Sequence, residues 1–307
     1  MNVDPVELAT QLADVVDGQI QTDSPLAPFT SYKIGGPTAV WVAPATEAGV
    51  GRALEVIHEN KTPLFILGRG SNLLVSDHGW DGVTLYLGEN FSNWTFDNRQ
   101  AKVLVGTLLM DLIRAAVKKG LSGLELLAGI PGGVGGALRM NAGAFGQEIE
   151  QVTVSVSGFR RDGIPFSADR RKITFDYRRV PELEKVVITS ALFHFEKENA
   201  GTLKTRMEDI LALRAGKQPL NYPSCGSVFK RPAGYYAGAL IEETGLKGKR
   251  LGGAMISRKH AGFILNVANA KAVDIYALIQ LIEARVLDRF GVQLEREVKL
   301  IGEFKLN

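Results

Sequence analysis

Apolar residues recur with the period of a helix in some segments of the chain and alternate as in a strand in others. The chain begins with a predicted helix and a linker, and a strand–helix–strand pattern follows. Asp4 can cap a helix whose apolar face contains Leu8 and Leu12, and we expect that helix to end at Gly18. A polar linker is predicted from there to Phe29. Later segments alternate between strand and helix patterns: a strand at 39–42, a helix over 46–60 and a strand at 63–67. This order is typical of an α/β beginning.

After Gly82 the pattern changes to short alternating segments separated by Asn, Asp and Gly turns. A helix is predicted over 108–119, with Gly120 at the position that ends helices. Strands are predicted at 83–87, 93–97, 102–105, 152–159 and 186–196. The middle of the chain therefore reads as α+β with much antiparallel pairing.

A third region begins near Asn199, and a charged run at 196–201 separates it from the middle of the chain. Its pattern predicts a helix over 203–214, a loop-rich stretch at 224–232, an amphipathic helix over 274–290 that ends at Gly291, and a closing strand over 292–301. A domain boundary is best supported between residues 198 and 205, because two differently patterned halves meet there.

Composition narrows the class of protein. Lys and Arg number 36 against 33 Asp and Glu, a net charge of +3 without the basic surplus of a nucleic-acid-binding protein. The single cysteine, Cys225, excludes an intrachain disulfide and a zinc site built from cysteines. The longest apolar candidate, Leu126–Leu138, has 13 residues, six of them Gly or Pro, so a spanning helix is not expected there. We expect a cytoplasmic protein without metal, nucleic-acid or membrane partners.

Glycine is unevenly placed, since seven of the 34 glycines fall within Gly129–Gly146. Two diglycines around Val134 are not expected to form a helix interior, but they let main chain touch an extended ligand with unpaired N–H groups. The alternative, a surface loop, fits poorly because apolar residues are embedded in the segment. The loop Gly68–Asn72 lacks the third glycine of a dinucleotide fingerprint, since position 73 is Leu73, and it is either a tight turn or an anion cradle.

Eight motifs in order and spacing resemble one family, the UDP-N-acetylenolpyruvoylglucosamine reductases of peptidoglycan precursor synthesis, from about Thr30 to Gly302. Each motif alone is weak, and eight in register are specific. They lie at Thr30–Gly36, Gly68–Asn72, Gly123–Gly136, Met140–Gly146, Tyr177–Arg178, Pro223–Lys230, Lys259–Phe263 and Leu294–Val298. The chain resembles the shorter subtype, which lacks an insertion in the substrate domain.

The resemblance implies an α+β fold with a two-subdomain FAD-binding region of the vanillyl-alcohol-oxidase type, followed by a smaller substrate-binding domain. The expected ranges are 1–30 for a helix and linker, 31–198 for the FAD region (subdomains about 31–88 and 89–198) and 199–307 for the substrate domain. It also implies that NADPH reduces non-covalently bound FAD, whose hydride adds to C3 of an enolpyruvyl ether of a UDP-sugar. A proton added at C2 then gives UDP-N-acetylmuramate. A monomer is expected.

The family motifs place three catalytic roles. Arg178 would hold and polarise the substrate carboxylate, and Glu297, acting in its protonated form, would share that task. Ser227 would donate the proton to C2. Without the resemblance, Arg178 reads as part of a solvated basic run, Ser227 as a turn serine, and Glu297 as a residue that shares a wet strand face with Glu295.

Further contacts come from the same motifs. The expected FAD contacts are Gly68, Arg69, Gly70, Ser71, Asn72, Leu73, Ile130, Pro131, Gly132, Gly133, Gly136, Asn141 and Gly143. The expected substrate contacts are Tyr177, Lys217, Asn221, Gly226 and Lys230. His260 reads as a hydrogen-bonding loop residue rather than a catalyst, and Cys225 as inert.

Two positions depart from the family pattern. Val180 stands where a serine usually follows the Tyr-Arg pair, which puts the orientation of Arg178 in question, and Gly133 stands where a hydroxyl residue is common. Two other functions stay open: a non-catalytic flavin- or UDP-sugar-binding relative, and a flavin oxidase on the same scaffold. The joint presence of Arg178, Ser227 and Glu297 disfavours the first, and the motifs around Ser227 and Glu297 disfavour the second.

Overall fold

The computed structural model describes residues 3–304 and divides the chain into two compact units, each assembled from separate segments. The first unit contains the residues up to Ser24, Ala39–Arg69 and Asp81–Leu213. The second contains Pro25–Thr38, Gly70–Trp80 and the residues from Arg214 onward. The contiguous domain ranges given above remain a prediction, and their extreme residues 1, 2 and 305–307 lie outside the described residues.

The helices and strands are interspersed along the chain and range from strands of two residues to a helix of 19 residues. The helices are α1 Pro5–Ala13, α2 Glu47–Glu59, α3 Leu109–Lys118, α4 Val134–Arg139, α5 Ala200–Lys217, α6 Ala237–Glu243 and α7 Ala272–Phe290. The strands are β1 Gly18–Pro25, β2 Pro37–Pro44, β3 Leu64–Leu67, β4 Leu73–Val75, β5 Trp80–Tyr86, β6 Trp94–Asp97, β7 Gln100–Leu104, β8 Leu121–Ser122, β9 Gly143–Ala144, β10 Gln147–Glu148, β11 Thr153–Arg160, β12 Pro165–Asp169, β13 Val186–His194, β14 Glu196–Lys197, β15 Arg250–Leu251, β16 Ala254–Ile256, β17 Ile264–Asn266 and β18 Lys299–Ile301.

Two sheets organise the first unit. One has the strand order β1-β2-β5-β3, with β3 parallel to β5, and the other is antiparallel with the order β12-β11-β13-β7-β6. A single buried cluster contains side chains of both sheets, such as Leu85 and Val103, together with the apolar faces of α1 to α3. Helix α4 packs against β7 and β13. Apolar side chains of both sheets and of the helices are buried in this one cluster, and their burial stabilises the unit.

The second unit has its own core around α7. This helix buries Ile275, Leu278, Ile282 and Val286, at the three- and four-residue spacing that places them on one face. It ends at Gly291, whose φ of 66° is the left-handed conformation that favours glycine. Strands β15, β16 and β17 form an antiparallel sheet against it, and β18 pairs in parallel with β4.

Several elements differ from the sequence-based expectation. The first helix ends at Ala13, and a strand, β1, occupies residues that were predicted as a linker. Seven of its eight residues are exposed or only partly buried, so no alternation marked it, and backbone pairing at the edge of a sheet forms it instead. The closing strand is also shorter than predicted, because only Lys299–Ile301 forms it.

Candidate functional site

The glycine-rich segment contains a helix, which the sequence analysis had excluded. Gly135 and Gly136 lie inside α4, and the prediction that the diglycines avoid a helix was wrong. The amides of Val134 and Gly135 donate to the carbonyls of Thr107 and Val105, both at 2.9 Å. A Cβ on Gly135 would lie 2.9 Å from Cβ of Val105. Close packing on Val105, and two hydrogen bonds to neighbouring main chain, stabilise a helix that glycine's propensity alone opposes.

The remaining amides of this segment have the character that the sequence predicted. The N–H groups of Gly132, Gly133 and Gly136 have no acceptor among residues 3–304. A Cβ on Gly136 would meet no heavy atom within 4 Å. Main chain with free donors beside open space can lie directly along an anionic or extended ligand.

Gly133 is packed differently. A Cβ at this position would lie 2.9 Å from the Val105 carbonyl oxygen and 3.3 Å from Cγ of Arg69. The hydroxyl residue that the family commonly carries here would therefore require a shift of main chain or of Arg69. In this chain Arg69 occupies space that a side chain at position 133 would need, which accounts for the glycine that replaces the family's hydroxyl residue.

Asn141 carries a buried polar atom that the described residues do not satisfy. Its side-chain Nδ2 donates to Oε2 of Glu148 at 2.7 Å, while its Oδ1 is buried and has no donor among residues 3–304. Unpaired buried oxygens are rare in folded proteins, so this one fits a ligand that donates a hydrogen. Together with the free amides and the open side of Gly136, it makes the segment compatible with FAD.

Several residues of the loop from Gly68 to Leu73 make contacts that stabilise the protein's own structure. Arg69 donates from Nε to the Gly106 carbonyl at 2.8 Å and pairs with Glu89 at 3.1 Å, both within the first unit. In the second unit, Gly70 has a φ of 61°, and a Cβ there would collide with the Phe29 carbonyl. The tight-turn interpretation thus accounts for Gly70.

The rest of this loop forms hydrogen bonds with main chain at Glu297 and Lys299. Asn72 donates from Nδ2 to the Glu297 carbonyl at 3.1 Å, and its own carbonyl accepts from Lys299 at 3.0 Å. Leu73 begins β4 and pairs with Lys299. Asn72 therefore holds the main chain from the Glu297 carbonyl to Lys299.

Arg178 lies at the tip of a tight turn in which Asp176 and Arg179 exchange backbone hydrogen bonds. Its φ of 56° is unusual for a residue with a side chain. The guanidinium donates to the Asn141 carbonyl at 3.4 Å and to the Gly143 carbonyl at 3.0 Å. Val180, at the family's serine position, is buried, so these two carbonyls orient Arg178 here.

Arg171 and Arg179 are exposed, as the solvated-face interpretation expected, whereas Arg170 is only partly exposed and lies over the Phe175 ring. Arg170 pairs with Glu150, Arg171 with Asp169, and Arg179 with Glu184. Arg178 differs because its contacts include main chain of the glycine-rich segment and the face of Tyr177, 5.1 Å from the ring centroid. Tyr177 is exposed.

Ser227 and Glu297 lie on paired segments of the second unit. Phe229 opposes Arg296, the Glu297 amide donates to the Val228 carbonyl at 2.8 Å, and the Ser227 hydroxyl donates to the Phe229 carbonyl at 3.3 Å. Gly226 has a φ of 81° and open space where a side chain would be. The pairing register brings the residues after Ser227 and the residues around Glu297 together, although they are 70 positions apart in the sequence.

The structure separates the two glutamates that the strand pattern left equivalent. Glu295 is exposed and forms an ion pair with Lys230, whose side chain is 15% exposed. Glu297 is only partly buried and lies close enough to Cys225 for its charge to act on the thiol. Burial first, and the Glu297 charge in addition, raise the pKa of Cys225 to about 12, which makes the thiol unreactive at neutral pH.

Two predicted substrate contacts lie on the surface of the second unit, and His260 supports one of its loops. Lys217, the last residue of α5, and Asn221 are exposed. His260 accepts at Nδ1 from the Gly262 amide at 3.1 Å, which confirms its role as a hydrogen-bonding loop residue. Burial lowers the pKa of His260.

Sequence reasoning missed two glutamates: one supports the glycine-rich segment and the other supports the main chain that precedes it. Glu148 binds Asn141, and Glu125, 3% exposed, accepts from the Gly123 amide at 2.8 Å and from Arg206 at 2.7 Å. A two-residue turn between paired Ala144 and Gln147 places Glu148, and the Phe-Gly pair at its tip was the signal available in the sequence.

Residues 3–304 contain no group of three or more His, Cys, Asp or Glu side chains that could hold a metal ion. None of the helices within that range has the length and apolar character needed to cross a membrane.

Comparisons with known proteins cover most of the chain. Residues 218–301 match the family model described as UDP-N-acetylenolpyruvoylglucosamine reductase, C-terminal domain, and residues 38–163 match the FAD binding domain. A protein of that name from Syntrophomonas wolfei is 41% identical over 286 residues, which cover 93% of this chain and 96% of the relative. Another from Pediococcus pentosaceus is 43% identical and covers 94% of this chain and 96% of the relative.

A solved structure is also similar over nearly the full length. The reductase of the same name from Thermus caldophilus superposes with a TM-score of 0.79 at 34% identity, and the match covers 93% of this chain and 99% of that one. The predicted α+β fold with an FAD-binding region is confirmed by this likeness and by the match to the FAD binding domain.

Proposed function

The chain belongs to the UDP-N-acetylenolpyruvoylglucosamine reductase family, and we propose that it reduces the enolpyruvyl group of UDP-N-acetylglucosamine-enolpyruvate to give UDP-N-acetylmuramate. The observation that supports this most directly is identity above 40% over 93% of the chain with reductases of that name. FAD is the cofactor and, when bound, supplies to the substrate a hydride that it receives from NADPH. The product is a precursor of peptidoglycan.

Arg178 serves in this proposal as the cation that holds the substrate carboxylate. Hydride addition to an unsaturated carboxylate builds negative charge on the carboxylate oxygens, and a fixed guanidinium stabilises that charge. A single well-placed donor of this kind contributes about 3 kcal/mol to a transition state. Arg178 suits the role because carbonyls already hold its guanidinium, so little reorganisation accompanies the reaction.

Glu297 and Ser227 complete the chemistry. Glu297, in its protonated form, donates a hydrogen bond to the same carboxylate, since two ionised carboxyl groups in contact repel each other. Ser227 donates its hydroxyl proton to C2. Its present bond to the Phe229 carbonyl, at 3.3 Å, is long for a hydroxyl donor, so the proton can be redirected at small cost.

The exposed groups Lys217, Tyr177 and Asn221 are available to bind the UDP-sugar. Lys230 would do so beside its partner Glu295. Lys217 suits the diphosphate as a mobile cation. Because the substrates are water-soluble nucleotides, we place the reaction in the cytoplasm, and we propose that a monomer carries it out.

Half-reaction kinetics of Ser227→Ala test the proposal. The purified holoenzyme should be yellow, NADPH should bleach its flavin absorbance, and the enolpyruvyl substrate should restore it. In Ser227→Ala we expect normal bleaching and a restoration rate lowered by at least about 100-fold, because general acid catalysis contributes 10²–10⁴-fold. Ser224→Ala, on the same loop, is the matched control.

Each alternative gives a different result in this experiment. Normal turnover by Ser227→Ala would remove Ser227 as the proton donor. Restoration of the wild-type flavin by oxygen alone, and not by the enolpyruvyl substrate, would identify an oxidase. A protein that takes up FAD but is never bleached by NADPH would be a non-catalytic relative.

A further inference from the structure

Glu148 dictates which way the Asn141 amide points. A carboxylate only accepts hydrogen bonds, so the atom that faces Glu148 Oε2 at 2.7 Å must be the Asn141 nitrogen. The reversed amide would set two oxygens against each other. With Nδ2 used in this way, Oδ1 is the atom left buried without a donor among residues 3–304. Glu148 therefore presents Asn141 as an acceptor and excludes it as a donor.

Gly143 provides the space through which Glu148 reaches Asn141. Gly143 and Glu148 are opposite each other in the β9–β10 pair, and a Cβ on Gly143 would lie 2.8 Å from Cγ of Glu148. A real Cβ does not approach so closely, so a side chain at 143 would displace the Glu148 stem. The glycine at this position thus has a cause in the protein itself, separate from any contact with FAD.

The same short stretch of main chain holds Arg178. Its guanidinium donates to the carbonyls of Asn141 and Gly143. Asn141 lies just after the end of α4 and has a φ of 40°, a left-handed conformation that asparagine tolerates. A backbone movement at Asn141 would therefore displace two acceptors together: the buried side-chain Oδ1 and the main-chain carbonyl that Arg178 contacts.

We propose that Glu148 is a positioning residue with two effects: it fixes Asn141 Oδ1 as an acceptor for a hydrogen donor of FAD, and through residues 141–143 it couples FAD binding to the placement of Arg178. The inference rests on the proposed function only in its second half, because the first concerns cofactor affinity. Loss of Glu148 removes the hydrogen bond that holds the Asn141 side-chain amide, so the amide can rotate and FAD binding weakens. Because Glu148 also lies against Gly143, its loss lets the main chain at 141–143 shift, and Arg178 shifts with the carbonyls that it contacts.

FAD affinity of the apoprotein is the primary measurement, by quenching of flavin fluorescence. For Glu148→Ala we expect the Kd of FAD to rise by about tenfold or more, since hydrogen bonds to charged groups are stronger than neutral ones. Glu148→Gln retains an acceptor but permits either amide orientation, so a smaller rise, about threefold, is expected. Glu150→Ala, two residues along and paired with Arg170, is the control and should bind FAD as the wild type does.

The coupling is tested with a double-mutant cycle of Glu148→Ala and Arg178→Lys, read out as the Kd of FAD. We expect non-additive effects, because both side chains act through residues 141–143. Additive effects would overturn the coupling, and wild-type FAD affinity in both Glu148 variants would overturn the positioning role. If Glu148→Ala does not fold, as judged by circular dichroism of the apoprotein, Glu148→Gln alone decides the first effect.

These outcomes are separable from failure of the proposed function. FAD titration requires no turnover, so a chain that binds FAD but does not reduce the enolpyruvyl substrate would refute the reductase activity while the Glu148 effect could still be measured. Conversely, a Glu148→Ala protein with unchanged FAD affinity and normal reduction of the substrate would refute the positioning role and leave the function standing.

Discussion

Two glycine-containing regions of the molecule use the residue for opposite reasons. In the segment Gly129–Gly146, Gly135 is needed because protein atoms approach it, and a Cβ there would press on Val105. In the loop before Ser227, Gly226 has open space around it and is needed because its φ of 81° suits only a residue without a side chain. Packing therefore requires glycine at position 135 and backbone conformation favours it at position 226, so substitutions at these two positions should affect different properties.

The largest expected effect is on stability, at Gly135. Gly135→Val would force methyl groups against Val105, and overpacking of this kind costs about 3 kcal/mol. Urea unfolding of the apoprotein measures it.

Gly136→Ala, one position along, is the matched comparison. A Cβ there meets no atom, and alanine favours a helix over glycine by up to about 1 kcal/mol, so the apoprotein should be as stable as the wild type or more stable. Its FAD affinity should fall, because the methyl group would occupy the open side of α4. Equal destabilisation by the two substitutions would contradict the packing difference.

The next expected effect is on the pH dependence of stability. Burial is the largest single influence on the Glu125 carboxyl and raises its pKa. Hydrogen bonds, including those from the Gly123 amide and from Arg206, together outweigh burial and hold the pKa of Glu125 below its usual 4.5. Because the folded pKa is the lower one, this stabilisation is fully present above pH 4.5 and is lost as pH falls through the folded value. Glu125→Gln should remove that dependence and cost about 2 kcal/mol at neutral pH, measured by urea unfolding at several pH values.

Acid unfolding of Glu125→Gln should therefore be shallower than that of the wild type below pH 4.5. Glu89→Gln is a suitable control, since the Glu89 side chain is 82% exposed and its pairing with Arg69 is screened by water. An identical pH profile for Glu125→Gln and wild type would show that another group sets the acid limit.

Among the destabilising substitutions, the smallest loss of stability is expected at Gly226. Gly226→Ala places a side chain in a left-handed conformation at a cost of about 1 kcal/mol, with no steric contact. The kcat should nevertheless fall, because a shift of the backbone at 226 moves the Ser227 hydroxyl, while FAD affinity stays unchanged. Reduced FAD affinity in this variant would contradict the separation between the two regions.

Much of the architecture could be predicted from local signals. The cap at Asp4, the helix that ends at Gly291 and the helix ended by Gly120 are all present, because capping chemistry and apolar period act over a few residues. Strand β1 and helix α4 were missed for one reason: partners distant in the sequence form them. Val105 and Thr107 bind α4, and sheet pairing forms β1, whatever the local propensity indicates.

The candidate site, too, could be predicted from the sequence only in part. Sequence motifs identified Arg178, Ser227 and Glu297, but strand alternation could not choose between Glu295 and Glu297. The ion pair from Lys230 to Glu295 distinguishes the two, and it depends on a register between segments 65 residues apart. The interpretation of Val180 as a lost support for Arg178 lacked the carbonyls of Asn141 and Gly143, whose positions no local pattern encodes.

The sequence by itself determined the family, the cofactor class and the residue types available for the chemistry, because these are written in motifs of a few adjacent residues. The tertiary structure decided what each residue can do. It gave Gly135 a packing role and left Gly136 open, turned the Asn141 amide with Glu148, and set Arg178 on two carbonyls. Hydrogen-bond geometry and steric contact depend on atoms far apart in the chain, and only the folded backbone brings those atoms together.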